Sequence, residues 1–349
     1  MNSLDRREFL LSLSAAMVGL SATSVLGQSQ KAEAGAEVLG QGKYKWKVVP
    51  NWGVLDASTP VNDCHGMIQT KDGRIFLLTN DTHNNVIIYD RAGKLLGKWG
   101  TEYPGAHGFT LAVEDGQEVF YITDQNRNQF YKTATDGKVL RTWDYPEKSG
   151  KYANQGEFKP THVALSPDGG LFVVDGYGKS WCHRYDKKGE WVSCFGGDQP
   201  EGANLACAHG CWVDTRDSKN LVWITSRQEH KIKRYTMNGK LVDIIELTGA
   251  EPNFIVPFGD HTFIPYLTSN EGQGQKNGFI SILGPDHKIV ANLAAPAPVY
   301  TDGKVEKLAA DTTVFTYPHG ILIDDQKSIY VAQWNSGKTY PIKLERVPA

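Results

Sequence analysis

Five histidines stand at one recurring point of this sequence: His65-Gly66-Met67-Ile68, His107-Gly108-Phe109-Thr110, Thr161-His162-Val163-Ala164, His209-Gly210-Cys211-Trp212 and His319-Gly320-Ile321-Leu322. Each precedes a short apolar stretch. Neutral imidazoles brought together from separate segments suit a divalent metal such as zinc, with a further position left open for water or substrate. A lone histidine in a turn is more often hydrogen-bonded to backbone, and a purely structural His-Gly turn is the alternative for the whole set. Recurrence at equivalent positions favours the metal, because no single core requires it.

The elements that must position these histidines repeat with them. After His65, Met67–Gln69 reads as a strand, Lys71-Asp72-Gly73 as a turn and Arg74–Thr79 as a second strand. A loop, a third strand over Val86–Tyr89, the turn Asp90–Gly93 and a fourth strand over Lys94–Trp99 complete the unit. Turn residues at such short spacing predict an antiparallel meander. The tyrosines before the fourth strands, Tyr89, Tyr131, Tyr185 and Tyr235, follow their histidines by 24, 24, 23 and 26 residues.

Successive histidines lie 42, 55, 47 and 110 residues apart, and the last interval holds two units. The unit without a histidine at the repeat position has its strands at Phe254–Pro257, His261–Leu267, Ser281–Leu283 and Lys288–Leu293. Six four-stranded repeats predict an all-β, six-bladed β-propeller over residues 43–349. The sixth unit has only three strands, Ile321–Ile323, Ser328–Ala332 and Tyr340–Leu344, while Tyr44–Val49 is a spare strand at the other end. Pairing the two ends closes the ring and leaves no long edge inside it. Each histidine then enters an innermost strand and faces the central channel.

A formal net charge of −2 over 349 residues argues against a nucleic-acid or anionic-membrane partner and leaves a small molecule or peptide as the expected substrate. Residues 1–27 read as an export signal: Arg6-Arg7 followed by Phe9-Leu10-Leu11 and an uncharged run resembles the twin-arginine type. Its serines make that run weak as a permanent membrane anchor. Periplasmic or secreted localisation is the expectation. Residues 28–42 read as a flexible leader.

The repeats resemble the NHL family, and the set of site residues resembles one enzyme class on that fold, the peptidyl-α-hydroxyglycine α-amidating lyases. The resemblance covers essentially residues 60–346. It implies zinc held by His107, His209 and His319, from Ala106-His-Gly-Phe, Ala208-His-Gly-Cys and Tyr317-Pro-His-Gly. It implies a catalytic tyrosine at Tyr177, in Val174-Asp-Gly-Tyr, and a carboxylate-binding arginine at Arg227, in Thr225-Ser-Arg-Gln-Glu.

The departures are specific. The family's second arginine falls near Asn80. Its calcium site, built from the carbonyls matching Met67 and Phe109 plus an aspartate, has Gly320 where the aspartate stands, so calcium is not expected. The cysteine after the family's tyrosine is Gly178 here. His65 and His162 have no counterpart in the zinc triad. With Asn80 they are expected to lie around the metal as supporting groups or as a polar wall for substrate. The implied reaction breaks the C–N bond of an α-hydroxyglycine-like hemiaminal, giving an amide and glyoxylate.

Five cysteines in an exported chain permit disulfides. Cys182 and Cys194 lie symmetrically about Lys188, and a three-residue hairpin loop would set them opposite each other as a candidate bridge. Cys64, Cys207 and Cys211 flank repeat histidines, so thiolate ligation is a minor alternative to the all-histidine site. Two other functions stand beside the lyase. One is a non-catalytic propeller that binds a protein or small ligand at the same mouth. The other is a metal-dependent hydrolase or lactonase on the same fold.

Overall fold

A computed structural model describes residues 37–53, 55–200, 202–269, 277–337 and 341–348. The export signal read over residues 1–27 lies outside the described residues, as does the leader as far as residue 36.

Six antiparallel sheets follow one another along the chain as blades of a propeller. Blade one is Cys64–Gln69, Ile75–Thr79, Val86–Tyr89 and Leu95–Trp99; blade two is Ala106–Glu114, Gln117–Asp124, Gln129–Ala134 and Val139–Trp143. Blade three is His162–Leu165, Leu171–Val174, Trp181–Tyr185 and Trp191–Gly196; blade four is Ala208–Asp214, Leu221–Ser226, Lys231–Tyr235 and Leu241–Glu246. Blade five, the one without a histidine at the repeat position, is Val256–Phe258, His261–Tyr266, Phe279–Leu283 and Ile289–Leu293. The predicted strands fall within a few residues of these limits. Among the described residues the helical elements are three short 3₁₀ turns, and no helix is long and apolar enough to cross a membrane.

Blade six closes the ring. Pro318–Ile323, Ile329–Gln333 and Ile342–Arg346 continue into Tyr44–Val49, paired antiparallel with Trp46 opposite Arg346 and Val49 opposite Lys343. A fifth strand, Val38–Gln41, then pairs with Tyr44–Val49. This corrects the flexible leader read over residues 28–42 at its C-terminal end. Leu39 is buried there, and Gln41 ties the strand to blade five by donating from its side-chain amide to Ala295 O at 2.8 Å.

The second strands are mostly apolar and buried along most of their length because neighbouring blades cover both of their faces. Ile75–Thr79, Leu221–Ser226 and Ile329–Gln333 are buried at every residue. Outermost strands such as Leu95–Trp99 alternate between half-buried and exposed. Phe76, Phe109 and Phe120 pack between blades one and two. Trp46 packs edge-on against Phe263 between blades six and five, with ring centroids 6.0 Å apart.

In blades one, three, four and five a register shift also breaks the pairing just before the outer hairpin. In blade three this β-bulge leaves out Val192, so Cys194 faces His183 and Cys182 faces Phe195. The candidate Cys182–Cys194 bridge is therefore corrected: both cysteines are free.

Candidate active site

The His-Gly pairs make their own local structure. In blades one, two, four and six the register of the inner strand shifts at the pair, between Cys64 and Gly66, Ala106 and Phe109, Ala208 and Cys211, and Pro318 and Ile321. Such a bulge re-aims a side chain that regular pairing would hold against the sheet face. Glycine is required next to it by contact. A Cβ on Gly108 would lie 2.6 Å from Thr161 O, and one on Gly320 would lie 2.3 Å from His65 O. These carbonyls of the following blade also receive the histidines: His107 Nδ1 lies 2.8 Å from Thr161 O and His319 Nδ1 lies 3.0 Å from His65 O. Each Nδ1 must carry the proton, which leaves the Nε2 lone pair free. His209 Nδ1 faces the Asn253 carbonyl without closing a hydrogen bond.

Four imidazoles pack together at this level. Ring centroids are 4.6 Å apart for His107 and His319, 4.7 Å for His107 and His209, and 4.8 Å for His209 and His319. His65 lies as close, 4.8 Å from His107 and 4.7 Å from His319. The ligand nitrogens that come within 4.8 Å of one another belong to His65, His107 and His319. His65 is thus inside the cluster rather than at its rim. The expected set of His107, His209 and His319 shares two members with it, while His209 turns its Nε2 to Tyr177.

Burial is the main reason all four stay neutral. It holds His107, His209 and His319 well below the ordinary histidine pKa and His65 at about 4. His65 Nδ1 and His319 Nε2 are buried without a partner. Two unpartnered nitrogens in a water-poor layer of neutral imidazoles are costly by themselves, and a nitrogen-preferring divalent cation would satisfy them. The residues fit such a metal. Thiolate ligation is not supported, because the metal-capable group among the described residues holds histidines alone and burial pushes the Cys64 thiol up to about 12.

The structure brings Tyr177 and Arg227 to this cluster. The Tyr177 hydroxyl lies 3.0 Å from His209 Nε2 and 3.3 Å from His107 Nε2, and Arg227 donates to it from Nη1 at 3.3 Å. The same Nη1 reaches Asn253 Oδ1 at 3.3 Å, and the guanidinium lies 5.3 Å over the Tyr177 ring. Burial raises the Tyr177 pKa and Arg227 partly offsets the rise, so the phenol is protonated at neutral pH. Burial opposes the Arg227 cation, but Tyr177, Cys207 and Glu251 around it raise its pKa on balance.

His65, Gln125, Tyr177, Arg227, Leu267, His319 and Trp334 line a pocket of about 220 Å³ at this mouth. Gln125, Leu267 and Trp334 escaped the sequence reading. All three directly follow the second strand of their blades, the position that Arg227 also holds, so the repeat itself carries that signal. Asn80 has this position in blade one, yet its amide is held by Asp63 and Asn62 and does not line the pocket.

His162 is placed elsewhere. No glycine follows it, no bulge forms, and its strand pairs regularly from His162 opposite Val174. It stacks on Phe254 at 4.5 Å and lines a second, largely apolar cavity of about 550 Å³ with the other inner strands. It is not part of the Tyr177 pocket.

No protein-family model matches the chain. A probable peptidyl-alpha-hydroxyglycine alpha-amidating lyase of Caenorhabditis elegans is 23% identical over 159 residues, which is 44% of this chain and 43% of that protein. The match therefore spans less than half the length of that relative. Among solved structures, a streptogramin B lyase superposes with a TM-score of 0.55 at 17% identity, covering 83% of this chain and 95% of that one. A gluconolactonase from Xanthomonas campestris superposes at 0.57 with 12% identity, covering 86% and 89%. These structures share the fold, and the relative's sequence supports the resemblance of this NHL-like six-bladed propeller to the peptidyl-α-hydroxyglycine α-amidating lyases.

Proposed function

We propose that the chain is a metal-dependent lyase that splits an N-acyl-α-hydroxyglycine-like hemiaminal into an amide and glyoxylate. One observation carries this reading: a half-buried tyrosine's hydroxyl is held between two imidazole nitrogens and a guanidinium at the mouth of a histidine-lined channel. His65, His107 and His319 would hold the cation, with His209 beside them. Zinc or a similar ion there would lower the pKa of the substrate hydroxyl.

The protein's own groups account for the remaining needs. Arg227 is the single permanent cation among the described residues that line the pocket and suits a bidentate pair with the substrate carboxylate. Tyr177, kept protonated by burial, can pass its proton to the departing amide nitrogen while it takes the proton of the α-hydroxyl. The C–N electron pair leaves with the nitrogen, the O–H pair becomes the new C=O bond, and the phenol ends as it began. Leu267 and Trp334 offer apolar surface to the acyl portion. Among the described residues no aspartate or glutamate lines this pocket, which favours the lyase over a hydrolase built on acidic metal ligands.

The test combines elemental analysis of purified protein with glyoxylate release from N-acyl-α-hydroxyglycines. Stoichiometric metal with turnover is the expected result. Metal-loaded protein that releases no glyoxylate would end the lyase reading.

A further inference from the structure

The interval from His107 to His162 is longer than its neighbours, 55 residues against 42 and 47. The excess lies between the outer strand of blade two and the inner strand of blade three, and it carries Tyr152. That side chain is buried, with its hydroxyl 2.7 Å from Asp175 Oδ2 and 2.7 Å from His183 Nε2. Asp175 and His183 are completely buried, and neither touches the channel histidines or lines the pocket. The mechanism leaves all three unused.

Hydrogen-bond chemistry fixes each proton in this cluster. The Trp191 indole can only donate, and its Nε1 lies 3.2 Å from His183 Nδ1. Nδ1 is therefore the acceptor, and the neutral ring carries its proton on Nε2, which donates to the Tyr152 oxygen. The Tyr152 proton is then left for Asp175 Oδ2. Asp175 is a carboxylate that also accepts from the backbone N–H of Lys159 at 2.6 Å and of Lys179 at 2.8 Å. The series Trp191, His183, Tyr152, Asp175 runs in one direction only.

Asp175 opens the turn that bears Tyr177. Its main-chain carbonyl accepts from Ser180 N at 2.8 Å and from Gly178 N at 3.3 Å. Its carboxylate lies so close over the turn that a Cβ on Gly178 would stand 2.1 Å from Oδ1. Tyr177 has no freedom to choose its place at the histidines unless this turn moves.

We propose that Trp191, His183, Tyr152 and Asp175 are positioning residues whose one-way hydrogen-bond series sets the turn Asp175–Gly178 and, through it, the place of the Tyr177 hydroxyl. The kinetic part of the test rests on the lyase reading; the spectroscopic part does not. Tyr152→Phe keeps the ring and cuts the series at its centre. In this variant kcat for glyoxylate release should fall at least about tenfold, with KM within about twofold and metal content unchanged. The Tyr177 resonance of protein labelled with ¹³Cζ-tyrosine, identified by its loss in Tyr177→Phe, should shift or broaden in the same variant. A lower Tm with unaltered kcat and an unaltered Tyr177 resonance would show that the series only fills space, and would overturn the proposal. If the parent protein releases no glyoxylate, the lyase reading fails and the resonance alone decides. Should Tyr152→Phe not fold, His183→Gln cuts the series one bond farther from Asp175 and carries the same comparison.

Discussion

The Tyr177 hydroxyl is closer to His209 Nε2, at 3.0 Å, than to His107 Nε2, at 3.3 Å. It has one proton and two imidazole acceptors, so His209 takes it and the His107 lone pair is left for another electrophile. Tyr177→Phe removes the hydroxyl while keeping the ring against the histidines. Glyoxylate release should drop by about 10²–10⁴-fold, the usual worth of a positioned acid–base group. Metal content, read by elemental analysis, should stay at the parental level.

His107 and His319 belong to both histidine triads, so alanine at either position should abolish stoichiometric metal. The third ligand is decided by comparing His65→Ala with His209→Ala. The nitrogen geometry predicts that His65→Ala loses metal and that His209→Ala mainly loses turnover. Cobalt substitution provides a second reading, since its visible spectrum changes with the number of nitrogen ligands. Full metal in His65→Ala with loss in His209→Ala would move the third ligand to blade four.

Acid should destabilise the fold through His162. Burial holds its pKa at about 4 in the folded chain, against about 6.5 unfolded. Between these values the unfolded state binds the extra proton, so its contribution is complete above pH 6.5 and is lost as the pH falls to 4. The loss is of order 3 kcal/mol. Asp175, raised by burial to about 6, opposes this over the same range, because the folded state binds its proton first. Denaturant titrations at a series of pH values should show a shallower slope for His162→Gln than for the parent protein between pH 6.5 and 4. Identical slopes would mean that His162 is already solvated in the native state.

Trp46 joins the closing strand to the rest of the ring. It is 3% exposed, its Nε1 donates to Lys327 O at 2.8 Å, and Arg346 lies 4.2 Å over its ring. Trp46→Ala should cost about 3–5 kcal/mol, as for other buried aromatic truncations. Thermal unfolding measures this, and a change below about 1 kcal/mol would show that closure does not depend on this contact.

Export through a twin-arginine route is our proposal for localisation, resting on Arg6-Arg7 before an uncharged apolar run. Lysine at both positions should leave the precursor in the cytoplasm, as fractionation and immunoblotting would show. Continued delivery across the membrane would point to the general secretory route.

The blade count was legible because turn residues recur along the chain and a His-Gly pair or a tyrosine landmark marks five of the six blades, and the end-to-end closure because the last unit is a strand short while Tyr44–Val49 is spare. The aim of each histidine was only half legible. Gly66, Gly108, Gly210 and Gly320 marked the bulged positions, and Val163 marked the exception, but the consequence for His162 depends on pairing with blade three's second strand. The Cys182–Cys194 expectation failed for a related reason: one unpaired residue, Val192, slides a register that spacing alone cannot reveal. Val38–Gln41 was invisible because, although it pairs in a hairpin with its neighbour Tyr44–Val49, the surface that buries Leu39 and receives Gln41 at Ala295 comes from blade five, far along the chain. Tyr152 gave no signal beyond the length of the loop that carries it.

The pairing of Trp46 with Arg346 joins residues at nearly opposite ends of the sequence. Loop-closure entropy makes such a contact slow to form and unrewarded until everything between is in place. Five blades can assemble locally as they are synthesised, but the sixth must wait for Ile342–Arg346 to emerge. Until then Trp46 and the edge of Tyr44–Val49 are without their partner. The same seam that removes an edge from the finished ring therefore leaves the nascent chain open to strand-mediated association, and refolding yield should fall with protein concentration in the interval before closure.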